Sequence, residues 1–169
     1  STWGHGKRAV PSAYVTQQLA DALNPAERAS RALRMLCEAQ GARGGHLWLY
    51  HESGLQLVAT HNVSGADDAL TEMVSTYFAR EVESDDVETG PLPQADESAL
   101  APAQAWTDRE GAIVRLLVLT CTLDGRVLHA GVAALLDEAT SKIGAASRLA
   151  AVIGAHLIEN GDARGVSAT

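Results

Sequence analysis

Five side chains concentrate the chemistry this sequence offers: His46, Trp48 and Tyr50 in the run HLWLY, and Tyr77 and Phe78 further along. Aromatic faces stack on a flat molecule, and imidazole and phenol heads orient it through hydrogen bonds. In a strand, side chains alternate between faces, so His46, Trp48 and Tyr50 share one face while Leu47 and Leu49 share the other. This set can bind a small molecule. None of its members is a nucleophile beside a base, so it points to recognition and not to a reaction.

The remaining reactive residues do not assemble into a catalytic group. Cys121 and His129 flank Asp124-Gly125, a dipeptide suited to a type I′ hairpin turn because both central residues tolerate positive φ. With the turn centred there, Leu123 pairs with Arg126, Thr122 with Val127, Cys121 with Leu128 and Thr120 with His129. Cys121 and His129 are then diagonal and on opposite faces, whereas a Cys–His nucleophile pair needs hydrogen-bond contact. No catalytic residue is expected and the chain does not read as an enzyme. Cys37 and Cys121 form no CxxC or CxxH arrangement, which argues against a structural zinc site; two buried free thiols are expected, with a disulfide between them as the alternative. Asp85-Asp86 and Asp96-Glu97 lack EF-hand spacing. Gly4-His5-Gly6-Lys7 lacks the rest of a phosphate loop. No metal or cofactor follows from any of these.

Charge narrows the partners. Thirteen basic against 21 acidic residues give a net charge of −8 over 169 residues. Broad phosphate binding needs clustered cations, so nucleic acid is not an expected partner. Arg28, Arg31 and Arg34 read as a solvated stripe. No run approaches the roughly 18 apolar residues of a membrane span, and nothing resembles a signal peptide, so the expected location is cytoplasmic. The first residue is Ser, and the chain reads as a piece of a longer protein.

The elements that must position the five residues follow from pattern. Residues 1–11 read as a linker, and one domain spans 12–160. Helices are expected over 12–23 and from Pro25 to about Gln40. The second has Asn24 at the N-cap, Pro at N1, Glu27 at N3 and Gly41 as its stop. His46–Tyr50 and Leu55–Thr60 form a first hairpin. Asp67 or Asp68 then caps a helix to about Val82, whose Leu70, Met73, Val74, Tyr77 and Phe78 follow the i, i+3, i+4 spacing of an amphipathic face. Residues 81–102 hold seven acids, three prolines and no Lys or Arg, the composition of an exposed, mobile loop. The hairpin over 113–136 has apolar residues on both faces of both arms, so it should be covered on both sides. A terminal helix over 141–159 precedes a flexible tail, 161–169.

This order, with GGHLWLYHESGLQLVAT, a capped helix, and a long hairpin ending VAALLDE before a terminal helix, resembles the GAF domain family. The resemblance covers 25–159 and is carried by the order and character of elements. It implies an α+β, GAF/PAS-like fold: a central antiparallel sheet of five or six strands, a fifth strand near 104–107 being short. The terminal helices would pack on one face, and the middle helix with the acidic loop on the other. Departures from the family's better-defined members bear on function. Asp137-Glu138 matches only the last pair of the cyclic-nucleotide signature. The cysteine that carries a bilin is absent from the middle helix, and the several cysteines of the free-methionine sulfoxide reductases are not reproduced. The resemblance therefore implies a sensory or regulatory domain covalently attached to a larger signalling protein, in the manner of bacterial serine/threonine kinases. An unidentified small molecule would sit between sheet and middle helix. The alternative is a ligand-free module that docks proteins or forms a homodimer through its N- and C-terminal helices.

Overall fold

The hairpin at Asp124-Gly125 forms as the turn chemistry demands. Asp124 has φ 53° and Gly125 φ 76°, the two positive values a type I′ turn requires. It joins β4, Ile113–Leu123, to β5, Arg126–Asp137. The four pairs nearest the turn are Leu123 with Arg126, Thr122 with Val127, Cys121 with Leu128 and Thr120 with His129. The ladder then shifts register between Leu119 and Thr120: Leu119 faces Gly131, and Ala130 is the extra residue of a bulge. A bulge exchanges the faces of the residues on either side of it.

The computed structural model describes residues 12–87, 105–107, 113–137 and 143–167. Before the hairpin come α1 (Ser12–Ala20), α2 (Pro25–Gln40), β1 (Gly44–His51), β2 (Gly54–His61), α3 (Asp68–Val87) and β3 (Ala105–Thr107), and after it α4 (Ile143–Glu159). The sheet is antiparallel throughout, in the order β2-β1-β5-β4-β3. Four long strands form its body, and the three residues of β3 pair along the outer edge of β4.

α2 starts and stops where its ends are chemically satisfied. The Asn24 side chain accepts a 2.8 Å hydrogen bond from the Glu27 amide, and Gly41, at φ 78°, donates its N–H to the Cys37 carbonyl. Helices α1, α2 and α4 cover one face of the sheet. Their Val15, Leu19, Leu33, Leu36, Leu149, Ile153 and Leu157 pack against Leu47, Leu49, Leu119, Ala133 and Leu135 of the strands. Helix α3 covers the other face, with Leu70, Val74 and Phe78 against Trp48, Val114, Leu116, Val132 and Ala134. Gly131 has no room for a side chain against β1: a Cβ there would be 2.1 Å from the Trp48 carbonyl oxygen. No helix among the described residues is long and apolar enough to cross a membrane.

Four local expectations change. α1 ends at Ala20, three residues short of Leu23, which is left exposed in the connection to α2. α3 runs to Val87, because acidic residues are compatible with a helix and no proline intervenes before Pro91. The acidic segment therefore begins as helix, and its remainder, 88–102, lies outside the described residues, as does the 1–11 linker. The arginine stripe is not simply solvated. Arg28 forms a two-bond ion pair with Asp162, and Arg31 donates to Glu27 and to the Gln18 carbonyl. Finally, residues 161–167 are not a loose tail. Asp162 and Ala163 are buried, and Val166 pairs with His129.

Candidate functional site

β1 presents His46, Trp48 and Tyr50 to the α3 side, as alternation requires, because Leu47 and Leu49 belong to the helical core opposite. The five residues read from the sequence do not form one cluster. His46 and Trp48 lie together near one end of β1, their ring centroids 5.6 Å apart. Tyr50 stacks on Phe78 at 5.9 Å. His46 and Tyr50 are four residues apart on one strand, about 13 Å at 3.3 Å per residue. Tyr77 is half-buried at the margin of the same layer. Two stations therefore share one layer.

A sixth residue joins the second station. His129 is buried on β5 and meets Phe78 edge-on at 6.4 Å. Its Nδ1 lies 2.8 Å from the Thr120 hydroxyl. Alternation counted back from Val132 would have put His129 on the helical side; the extra residue Ala130 turns it toward α3. The sequence holds the Thr120–His129 pairing but no local sign of the bulge.

The first station has a definite polarity. His46 Nε2 is 2.9 Å from the carbonyl oxygen of Ser64. A carbonyl only accepts, so Nε2 carries the proton, and in the neutral ring Nδ1 presents a lone pair. His46 is 4% exposed, and Nδ1 meets no hydrogen-bond partner among the described residues. A buried acceptor left unmade costs about 1–3 kcal/mol. That is a chemical demand for a donor.

The cysteines sit elsewhere. Burial pushes the Cys37 thiol up to about 12, with the charge of Glu38 adding to the effect. Burial also raises Cys121, helped by Glu159 at the end of α4, which places Cys121 on the helical side, away from His129. Neither thiol is ionised at neutral pH, and the thiolate is the nucleophile. Among the described residues, no group of three or more His, Cys, Asp or Glu is arranged to hold a metal ion. A shallow depression of about 460 Å³ lies on the outer side of α3 among Ser75, Thr76, Ala79, Arg80 and Glu83, away from both stations.

No protein-family profile matches the chain, and no curated protein matches it. Among solved structures, the chain is similar to the GAF domain of a protein from Pseudomonas syringae pv. tomato assigned as a sensor histidine kinase. The TM-score is 0.50 at 22% identity, over 88% of this chain and 83% of that one. At that identity the likeness is one of fold. Taken with the sheet order and the two helical layers, it gives this chain the α+β architecture of a GAF domain.

Proposed function

We propose that the chain is a sensory or regulatory domain that binds an uncharged, flat small molecule between the sheet and α3 and catalyses no reaction. It would act within a larger signalling protein, as the similar domain from Pseudomonas does in its kinase. The observation that carries this reading is His46. Its ring is fixed by Ser64, its second nitrogen is buried without a partner among the described residues, and Trp48 lies alongside. A ligand that stacks on the indole and donates an N–H or O–H to Nδ1 satisfies both groups. Nucleobases, phenols and indoles have that combination.

The test is a thermal-shift panel of phenols and indoles set beside their O- or N-methylated counterparts, which keep the ring and lose the donor. A binder at 100 times its Kd adds about 2.7 kcal/mol of stability. Donor-bearing members should raise Tm by several degrees and their methylated counterparts should not. A panel in which no member shifts Tm would sink the small-molecule reading. Equal shifts from both members of each pair would sink the role of His46.

A further inference from the structure

α4 ends at Glu159, and Gly161, at φ 81°, turns the chain back toward the sheet. The next six residues touch both layers. On the helical side, the Asp162 carboxylate accepts from Arg28 Nε at 2.5 Å and from Nη2 at 3.1 Å, with both side chains mostly buried. The Arg28 guanidinium is pushed above its ordinary value first by that hydrogen bond, against the opposing effect of burial. Ala163 is buried in the same core. The Arg164 amide then donates to the Tyr50 carbonyl at 2.9 Å. Gly165 is tightly enclosed, since a Cβ there would fall 2.9 Å from both Ile158 Cδ1 and Leu128 Cβ. Val166 exchanges two backbone hydrogen bonds with His129, at 2.9 and 3.0 Å, and packs into the α3-side cluster.

The segment can do this because the sheet opens for it. β1 and β5 pair only as far as Leu49 with Gly131. Beyond the bulge at Ala130 they diverge, and the segment supplies partners to Tyr50 on one side and His129 on the other. Those are the two residues that contact Phe78 in the second station.

We propose that residues 162–167 are a strap that seats and releases as one unit, coupling the Arg28–Asp162 pair in the helical layer to Tyr50, Phe78 and His129 in the α3 layer. Backbone hydrogen bonds at one end and an ion pair at the other, joined by a few residues of which only Ala163 and Val166 pack into a core and Arg164 pairs with the exposed Glu52, make a segment that opens locally before the domain unfolds. Coupling between two sites is reciprocal, so loosening either end loosens the other by the same factor. The strap stands on these contacts whether or not the layer holds a ligand.

Amide exchange and ring shifts measured by NMR on the full chain test it. Asp162→Ala should speed exchange at the His129 and Val166 amides together, by roughly tenfold or more. It should also shift the Phe78 ring resonances while the Leu47 and Leu49 amides of β1 keep their protection. Val166→Pro, which removes one of the His129 hydrogen bonds and leaves the ion pair untouched, should speed exchange of Arg28 Nε–H by a similar factor. The proposal is overturned if His129 and Val166 keep their protection in Asp162→Ala, if Phe78 does not move, or if Arg28 is unaffected by Val166→Pro. It is equally overturned if Leu47 and Leu49 lose protection in step with Val166, because the segment would then melt only with the whole fold.

Discussion

The two faces of one sheet are built to different specifications. Toward α1, α2 and α4 the strands present leucines and alanines, and the helices answer with leucine, isoleucine, valine, methionine and alanine. Toward α3 they present a histidine, a tryptophan and a tyrosine from β1 and a second histidine from β5, set among Val114, Leu116, Val132 and Ala134, with Phe78 laid against the rings. An aliphatic layer gains from burial alone. A layer of rings with polar heads gains less per residue and must satisfy each nitrogen and hydroxyl. The first face is almost wholly aliphatic and the second mixes rings and polar heads with aliphatic residues, and their difference can be attacked from either side.

The largest effect is expected on the helical face. Leu119 is fully buried there, and Leu119→Ala should cost about 3 kcal/mol by chemical denaturation, from lost transfer energy and the cavity left behind. A loss below about 1 kcal/mol would mean that this layer is not the close-packed one. Next comes alkaline pH, which acts on the same face through Cys37 and Cys121. A thiol whose folded value is raised keeps its proton in the fold and loses it in the unfolded chain. Stability should therefore be full below pH 9, where the unfolded thiol titrates, and fall as pH rises toward about 12, the folded value of Cys37. Its slope is at most about 1.4 kcal/mol per pH unit for each thiol, so that one unit above pH 9 the loss stays below that of Leu119→Ala. Cys37→Ala should flatten that fall, and an unchanged slope would remove Cys37 as its cause. The smallest effect is expected on the α3 face. His46→Leu removes an unpaired buried nitrogen and one hydrogen bond to the carbonyl of the exposed Ser64, so the two terms offset to within about 1 kcal/mol. A loss as large as that of Leu119→Ala would erase the contrast between the faces.

What could be read ahead of the structure was whatever neighbouring residues decide among themselves. Asp124-Gly125 fixed its own turn and, through it, four pairs of the β4–β5 ladder. Asn24, Pro25 and Gly41 fixed both ends of α2. The alternation of HLWLY assigned His46, Trp48 and Tyr50 to one face correctly. What could not be read depends on partners far away in the chain. Arg28 looked solvated because Asp162 lies 134 residues further on. The segment after Gly161 looked frayed because its hydrogen-bonding partners, Tyr50 and His129, belong to two separate strands. Splitting the five ring residues into two stations needed the length of β1 measured in three dimensions. The end of α3 differs for another reason: acidic composition signals exposure, and exposure does not exclude a helix.

The single extra residue at Ala130 has a consequence for how this chain can vary in length. In most strands a one-residue deletion scrambles every contact downstream until a loop absorbs it. Here, removing Ala130 would straighten the β4–β5 ladder without disturbing the pairs beyond Gly131. The four residues between the bulge and the turn would keep their sides, because Thr120 would still face His129 and Leu119 would still face Gly131. His129, now next to Gly131, would remain beside Phe78, and Leu128 would remain toward the aliphatic layer. The chain with Ala130 and the chain without it thus show the same imidazole to α3 at this end of the sheet.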